Sequence, residues 1–205
     1  MIRAQFDFIK HLMFHPIDGF YELKTQKKGN VKTAIILNFL AFIMLVIKTN
    51  KTGFIFNSAY GQPLDIIYLF CYIVIPVLLF SVANLSITTL MEGEGNFSEI
   101  YMVTSYSLVP FIIIWPIETI LSNTFSLDEA TFLGFATTIS IIWFAFLLFF
   151  GILSIHNYTP MKNIATFVLT AIAMIIIIFL ILLFFNLMSE VVGFIYSIIK
   201  ELQTR

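Results

Sequence analysis

Charge is what this sequence has least of. Asp, Glu, Lys and Arg make up 11% of its residues and hydrophobic types 60%. A soluble domain carries about 25% charged and about 45–50% apolar residues. Such a chain must turn apolar atoms outward, so its solvent is lipid, and a mean hydropathy of +0.98 agrees. The net charge of −1 argues against a nucleic-acid partner, and none is expected. One cysteine, Cys71, sits in an apolar run. The chain therefore has no internal disulfide framework and no Cys-rich metal site, and Cys71 reads as a small hydrophobe. His11, His15 and His156 are scattered without metal-ligand spacing. There is no Gly-x-Ser-x-Gly elbow, Walker motif or dinucleotide fingerprint. These absences leave no catalytic residue, cofactor site or metal site to name, and the expectation is that the chain is not an enzyme. No cleavable signal is expected either, because residues 1–30 mix charges throughout, from Arg3 and Asp7 to Lys27 and Lys28.

What is present is long apolar runs. They predict an all-α membrane protein, a five-helix transmembrane bundle with spans at about 33–47, 66–91, 100–122, 132–155 and 164–188. The first run is short for a core of about 30 Å, so Lys32 and Lys48 are expected to snorkel. Residues 1–32 read as a cytoplasmic amphipathic and basic arm, and 33–205 as the transmembrane domain. In the arm, Ile2, Phe6, Ile9 and Met13 recur at helical spacing, widened by Phe8 and Leu12. Pro16 breaks that helix and opens a second one, with Asp18 in its first turn. The pair is expected to lie at the interface, leading to Lys24, Lys27, Lys28 and Lys32. Residues 189–202 place Val191, Phe194 or Ile195, Ile198 and Leu202 on one stripe opposite Glu190 and Lys200. This predicts a helical tail on or leaving the far membrane face, with a bend at Gly193.

The connections carry helix-start chemistry. Asn96 with Glu99, and Ser126 with Glu129, fit the capping box. Thr159-Pro160 offers an N-cap followed by proline at the first helical position. Counting Lys and Arg with the N-terminus inside gives seven inside and four outside. The expected placement is a multi-pass protein of the cell membrane with a cytoplasmic N-terminus and an extracytoplasmic C-terminus.

Few groups stand out for function. Glu92-Gly93-Glu94-Gly95-Asn96-Phe97-Ser98-Glu99 is an acidic, glycine-punctuated run between two oily segments. Its glycines are expected to make a tight turn, and its carboxylates to pair with the Lys24–Lys32 cluster. Phe20, Glu92, Glu94 and Phe97 are the candidate partner contacts. Asn84 and Glu118 are the candidate intramembrane polar residues: Asn84 as an interhelical hydrogen bond, Glu118 as an interfacial group or part of an ion path. Pro76, Pro110 and Pro116 remove backbone donors and are expected to kink the second and third spans.

His15-Pro16-Ile17-Asp18-Gly19-Phe20, then Glu92 to Phe97, then Tyr106-Ser107-Leu108-Val109-Pro110, set over five apolar runs, resemble the Yip family of Ypt/Rab-interacting membrane proteins from about residue 11 to 190. The resemblance implies a five-helix bundle with a cytosolic N-terminus. Eukaryotic relatives bind small GTPases in vesicle trafficking. This chain lacks their long Pro/Gln-rich cytosolic tail and is similar to the compact bacterial branch. Bacterial cells have no Rab cycle, so the GTPase role is not carried over. Some bacterial relatives are encoded near sugar-importer genes, which implies an accessory role. No catalytic residues transfer. The function expected is a non-enzymatic membrane scaffold or accessory protein. The alternative is a small transport component or channel with a site among the kinked second and third helices. The partners expected are the lipid bilayer, other membrane proteins or a cytoplasmic protein, and a second copy in a homo-oligomer.

Overall fold

The computed structural model describes residues 2–57 and 60–203 of the chain. The side chains of Ile2, Arg3 and Leu202, and residue Arg205, lie outside the described residues. Helices run α1 Ile2–Phe14, α2 Pro16–Thr25, α3 Val31–Lys51, α4 Ile66–Leu90, α5 Phe97–Tyr106, α6 Val109–Ser122, α7 Ala130–His156 and α8 Pro160–Gln203. Among the described residues there is no strand, and five helical stretches are long and apolar enough to cross a membrane. The five expected spans are therefore present, with α5 and α6 forming the third.

The helix starts follow the capping chemistry of the sequence. Asn96 Oδ1 accepts from the Glu99 backbone N–H, and Glu99 Oε2 accepts from that of Asn96, both at 3.0 Å. Ser126 and Glu129 form the same reciprocal box. The first span is longer than expected, because Asn30 caps it at Lys32 and the helix continues to Lys51. At about 1.5 Å per residue α3 reaches about 30 Å and crosses without help from snorkelling lysines.

Prolines act unequally. The third span breaks at Ser107–Leu108. Pro110 has no N–H for the Tyr106 carbonyl, and its ring crowds that carbonyl. Thr104, Ser105 and Ser107 each bond the carbonyl four residues back, which loosens the same stretch. At Pro76 and Pro116 the helices run on unbroken.

The arm packs into the helical core. Phe8, Leu12, Met13, Phe20 and Leu23 share one buried cluster with Ile100, Val103 and Tyr106 of α5 and with Leu147, Ile152 and Ile155 of α7. The inward face of α1 is set by Phe8 and Leu12, and Phe6 points out. Gly151 makes the approach feasible: a Cβ there would lie 2.4 Å from Val103 and 3.1 Å from the Phe20 ring. Gln5 Oε1 also accepts from Thr33 and from the Tyr106 hydroxyl, each at 3.2 Å. Packing is therefore continuous across residue 32, and the arm shares its core with the spanning helices.

α4 and α8 meet along a polar seam. Asn84, Ser81 and Thr88 are buried on one side, and Asn163, Thr166 and Thr170 on the other. Beyond Ile177 every residue of α8 up to Lys200 is exposed. Gly193 makes no bend: α8 is continuous through it, and nothing packs near it. One glycine in a helix costs only about 1 kcal/mol, too little to end a long Leu/Ile/Phe run.

Candidate functional site

The acidic loop lies at the end of the bundle where α4, α5, α7 and α8 turn. Two helices finish there in the same way. Glu92 (φ 53°) and Asn157 (φ 52°) take the left-handed conformation that closes α4 and α7. The next backbone N–H in each case, Gly93 and Tyr158, bonds back to Thr88 at 2.7 Å and to Leu153 at 3.1 Å. This is the Schellman closure, with a non-glycine residue at the position glycine usually fills.

The two closures are then joined. The Tyr158 hydroxyl donates to the Met91 carbonyl at 3.2 Å. Gly95 N–H donates to His156 Nδ1 at 3.1 Å. Asn157 Nδ2 donates to Glu94 Oε2 at 2.8 Å, and Lys24 of α2 donates to the same oxygen at 2.5 Å. Lys24 and Glu94 thus meet across 70 residues of chain, as the charge pattern predicted. Lys28 turns instead to Glu22 at 2.9 Å. Glu94 is held below the ordinary carboxylate value, first by the Lys24 hydrogen bond and then by that of Asn157. Tyr158 is pushed up by partial burial and by the nearby Glu92 charge.

The glycines answer to His156 more than to turn geometry. Neither Gly93 nor Gly95 has a positive φ. A Cβ on Gly93 would stand 2.5 Å from His156 Nδ1 and 2.6 Å from the Tyr158 hydroxyl. One on Gly95 would stand 2.8 Å from His156 Cε1. The loop is therefore laid directly on a buried imidazole, which also stacks on Tyr158 at 5.2 Å. His156, Asn157 and Tyr158 were not singled out in the sequence. The only signal was a His-Asn-Tyr turn between two apolar runs, and nothing local says that it faces the loop some 60 residues earlier.

Of the candidate contacts, Glu92 and Phe97 are outward-facing, with Phe97 39% exposed and stacked on Tyr101. Phe20 is the correction. It is completely buried beneath α7, so it cannot touch a partner. Its neighbours Ile17 and Tyr21 carry the exposed face of α2 and line a groove of about 380 Å³ with Asn157 and Tyr158.

The intramembrane polar residues lie elsewhere and do not meet each other. Asn84 Nδ2 donates to Thr170 Oγ1 at 3.1 Å across the α4–α8 seam. Glu118 sits toward the opposite end, with its side chain 5% exposed and paired with Lys48, and it accepts from Thr137 Oγ1 at 2.8 Å. Lys48 therefore turns inward, over Trp115 at 5.5 Å, instead of snorkelling. Among the described residues no group of His, Cys, Asp or Glu could hold a metal ion.

In the comparison with protein families, the model for the Yip1 domain matches residues 10–184. No curated protein and no solved structure matches the chain.

Proposed function

The chain belongs to the Yip1 domain family, and from that premise we propose that it is a non-enzymatic membrane scaffold or accessory protein that docks a partner on the end of the bundle bearing the acidic loop. The observation that carries this reading is a contrast at that end. The backbone is pinned by Lys24, Glu94, Asn157, His156 and Tyr158, while large apolar and acidic side chains around it stay uncovered. Leu90 is 80% exposed, and Ile17, Tyr21, Phe97 and Met161 are exposed with it. A rigid frame presenting exposed aromatics suits protein recognition, because little order must be gained on binding.

The basic arm argues that this end faces the cytoplasm of the cell membrane, with the C-terminus on the other side. In a Cys71→Ala background, a membrane-impermeant maleimide should label Gln62→Cys in intact cells and Lys27→Cys only after permeabilisation. The reverse pattern would invert the placement.

A photo-crosslinking residue at Tyr21 or Phe97, activated in native membranes, should give discrete protein adducts. Lipid adducts alone at both positions would refute the scaffold. A transport role has less support, since neither Asn84 nor Glu118 is among the residues lining the apolar intramembrane cavity beside Pro76 and Trp115.

A further inference from the structure

That cavity is a half-open cleft between α4 and α7, with exposed Tyr72, Pro76 and Ile141 on its rim, and has a volume of about 650 Å³. All its lining residues belong to membrane-crossing helices. They include Lys48, Tyr72, Phe80, Trp115, Phe144 and Met174. Its size falls in the range of ligand sites, about 300–1,000 Å³.

Two features of the sequence keep the space open. Pro76 lines it, and the missing N–H leaves the Tyr72 carbonyl without a helix partner. Leu108, at the break of the third span, lines it from the other side. The walls are mostly apolar and aromatic, and water there would find too few polar partners to be held. The occupant that fits is a hydrocarbon chain.

The ends of the cavity differ. Lys48, in the last turn of α3, is its one charged lining residue. Glu118 takes one of the three ammonium donors, and the Lys48 side chain is still 28% exposed. Trp115 and Tyr72 stand at the same end, the amphipathic aromatic types found at headgroup level. From Tyr72 to Phe80 the wall descends about 12 Å along α4 at 1.5 Å per residue. That is close to one leaflet, half of a core about 30 Å thick.

We propose that this cavity is a phospholipid site. It takes one acyl chain of a lipid from the leaflet at the Lys48 end, and the remaining Lys48 donors hold the lipid phosphate. The site is separate from the docking face and does not depend on the scaffold reading.

The test uses the full chain in phosphatidylcholine nanodiscs doped with phosphatidylglycerol carrying a mid-chain diazirine. A parallel sample carries diacylglycerol with the same chain and no phosphate. After photolysis, adducts are mapped by peptide mass spectrometry. With the phospholipid probe, Phe80, Phe111 and Phe144 should be labelled several-fold more than lipid-facing Ile142 and Ile175. The diacylglycerol probe should lose most of that enrichment. Val77→Trp, which fills the cavity, should bring the three positions down to the surface level. The Lys48→Met, Glu118→Leu pair should make the two probes equivalent. Labelling of the cavity no stronger than of Ile142 and Ile175 would overturn the proposal. So would equal enrichment by both probes on the unmodified chain, a result that does not depend on any variant folding.

Discussion

Lys24 Nζ lies 2.5 Å from Glu94 Oε2, and this pair fastens the N-terminal helices to the loop between the second and third spans. Asn157 shares the same oxygen at 2.8 Å. The contacts hold Glu94 below its ordinary value of 4.5. A carboxyl depressed by folding adds stability that is complete above its unfolded value and fades as pH falls through its folded value. The wild-type chain should therefore melt above Glu94→Gln at neutral pH. The gap should stay constant down to about pH 5 and close as the pH drops below 4.5. Thermal scans of both proteins in the same detergent across this range give the answer, and a gap independent of pH would remove the ion pair as its cause. Most of Glu94 is in water, so the gap should also shrink with salt.

Gly95 and His156 form a more demanding contact, because a β-carbon at 95 would sit 2.8 Å from the ring. Gly95→Ala must push the loop off the imidazole and lose the 3.1 Å hydrogen bond to Nδ1. Overpacking of this kind costs about 1–3 kcal/mol. In a His156→Ala background the added methyl has room, so the same substitution should cost much less. A double-mutant cycle by denaturant or thermal unfolding checks the coupling. Additive effects would mean that the glycine serves the turn and not the ring.

Phe20 and Phe97 look alike as exposed-contact candidates in sequence but differ in place. Phe20 is completely buried among Val103, Gly151 and Ile155, whereas Phe97 is 39% exposed. Phe20→Ala should destabilise the protein by about 3–5 kcal/mol. Phe97→Ala should stay within about 0.5 kcal/mol and weaken only partner adducts. Melting temperatures of the two variants distinguish these outcomes. Equal effects would contradict the packing of the arm.

This pair shows where sequence reading stops. Spans and capping boxes were legible because hydropathy and Ser/Asn-to-Glu spacing act within a few residues. The Lys24–Glu94 pairing was legible because one basic cluster and one acidic loop had few alternatives. The depth of Phe20 was not, because an amphipathic helix reads the same whether its apolar face meets lipid or a helix 130 residues later. His156 was opaque for the same reason: its partner is the backbone of Gly95, and a backbone amide leaves no trace in residue identity. Glu118 could be placed near a helix end, but the inward turn of Lys48 depends on the approach of α3 to α6, which periodicity does not encode.

The Lys48–Glu118 pair gives the sharpest energetic test, since it joins α3 and α6 with little water at the carboxylate. A buried pair loses much of its attraction to desolvation, so its net worth is small, but removing one member strands the other. Lys48→Met leaves a carboxylate that is 5% exposed with only Thr137 beside it. That variant should lose about 3–5 kcal/mol. Adding Glu118→Leu removes the stranded charge and should recover most of the loss, because an apolar side chain needs no partner at a site that is 5% exposed. The measurement is unfolding of the two single variants and the double variant under one condition. Recovery in the double variant marks the pair as a mutual neutraliser. A double variant as unstable as Lys48→Met would instead make the Lys48 ammonium over the Trp115 ring, 5.5 Å from its centroid, the element that holds α3 to α6.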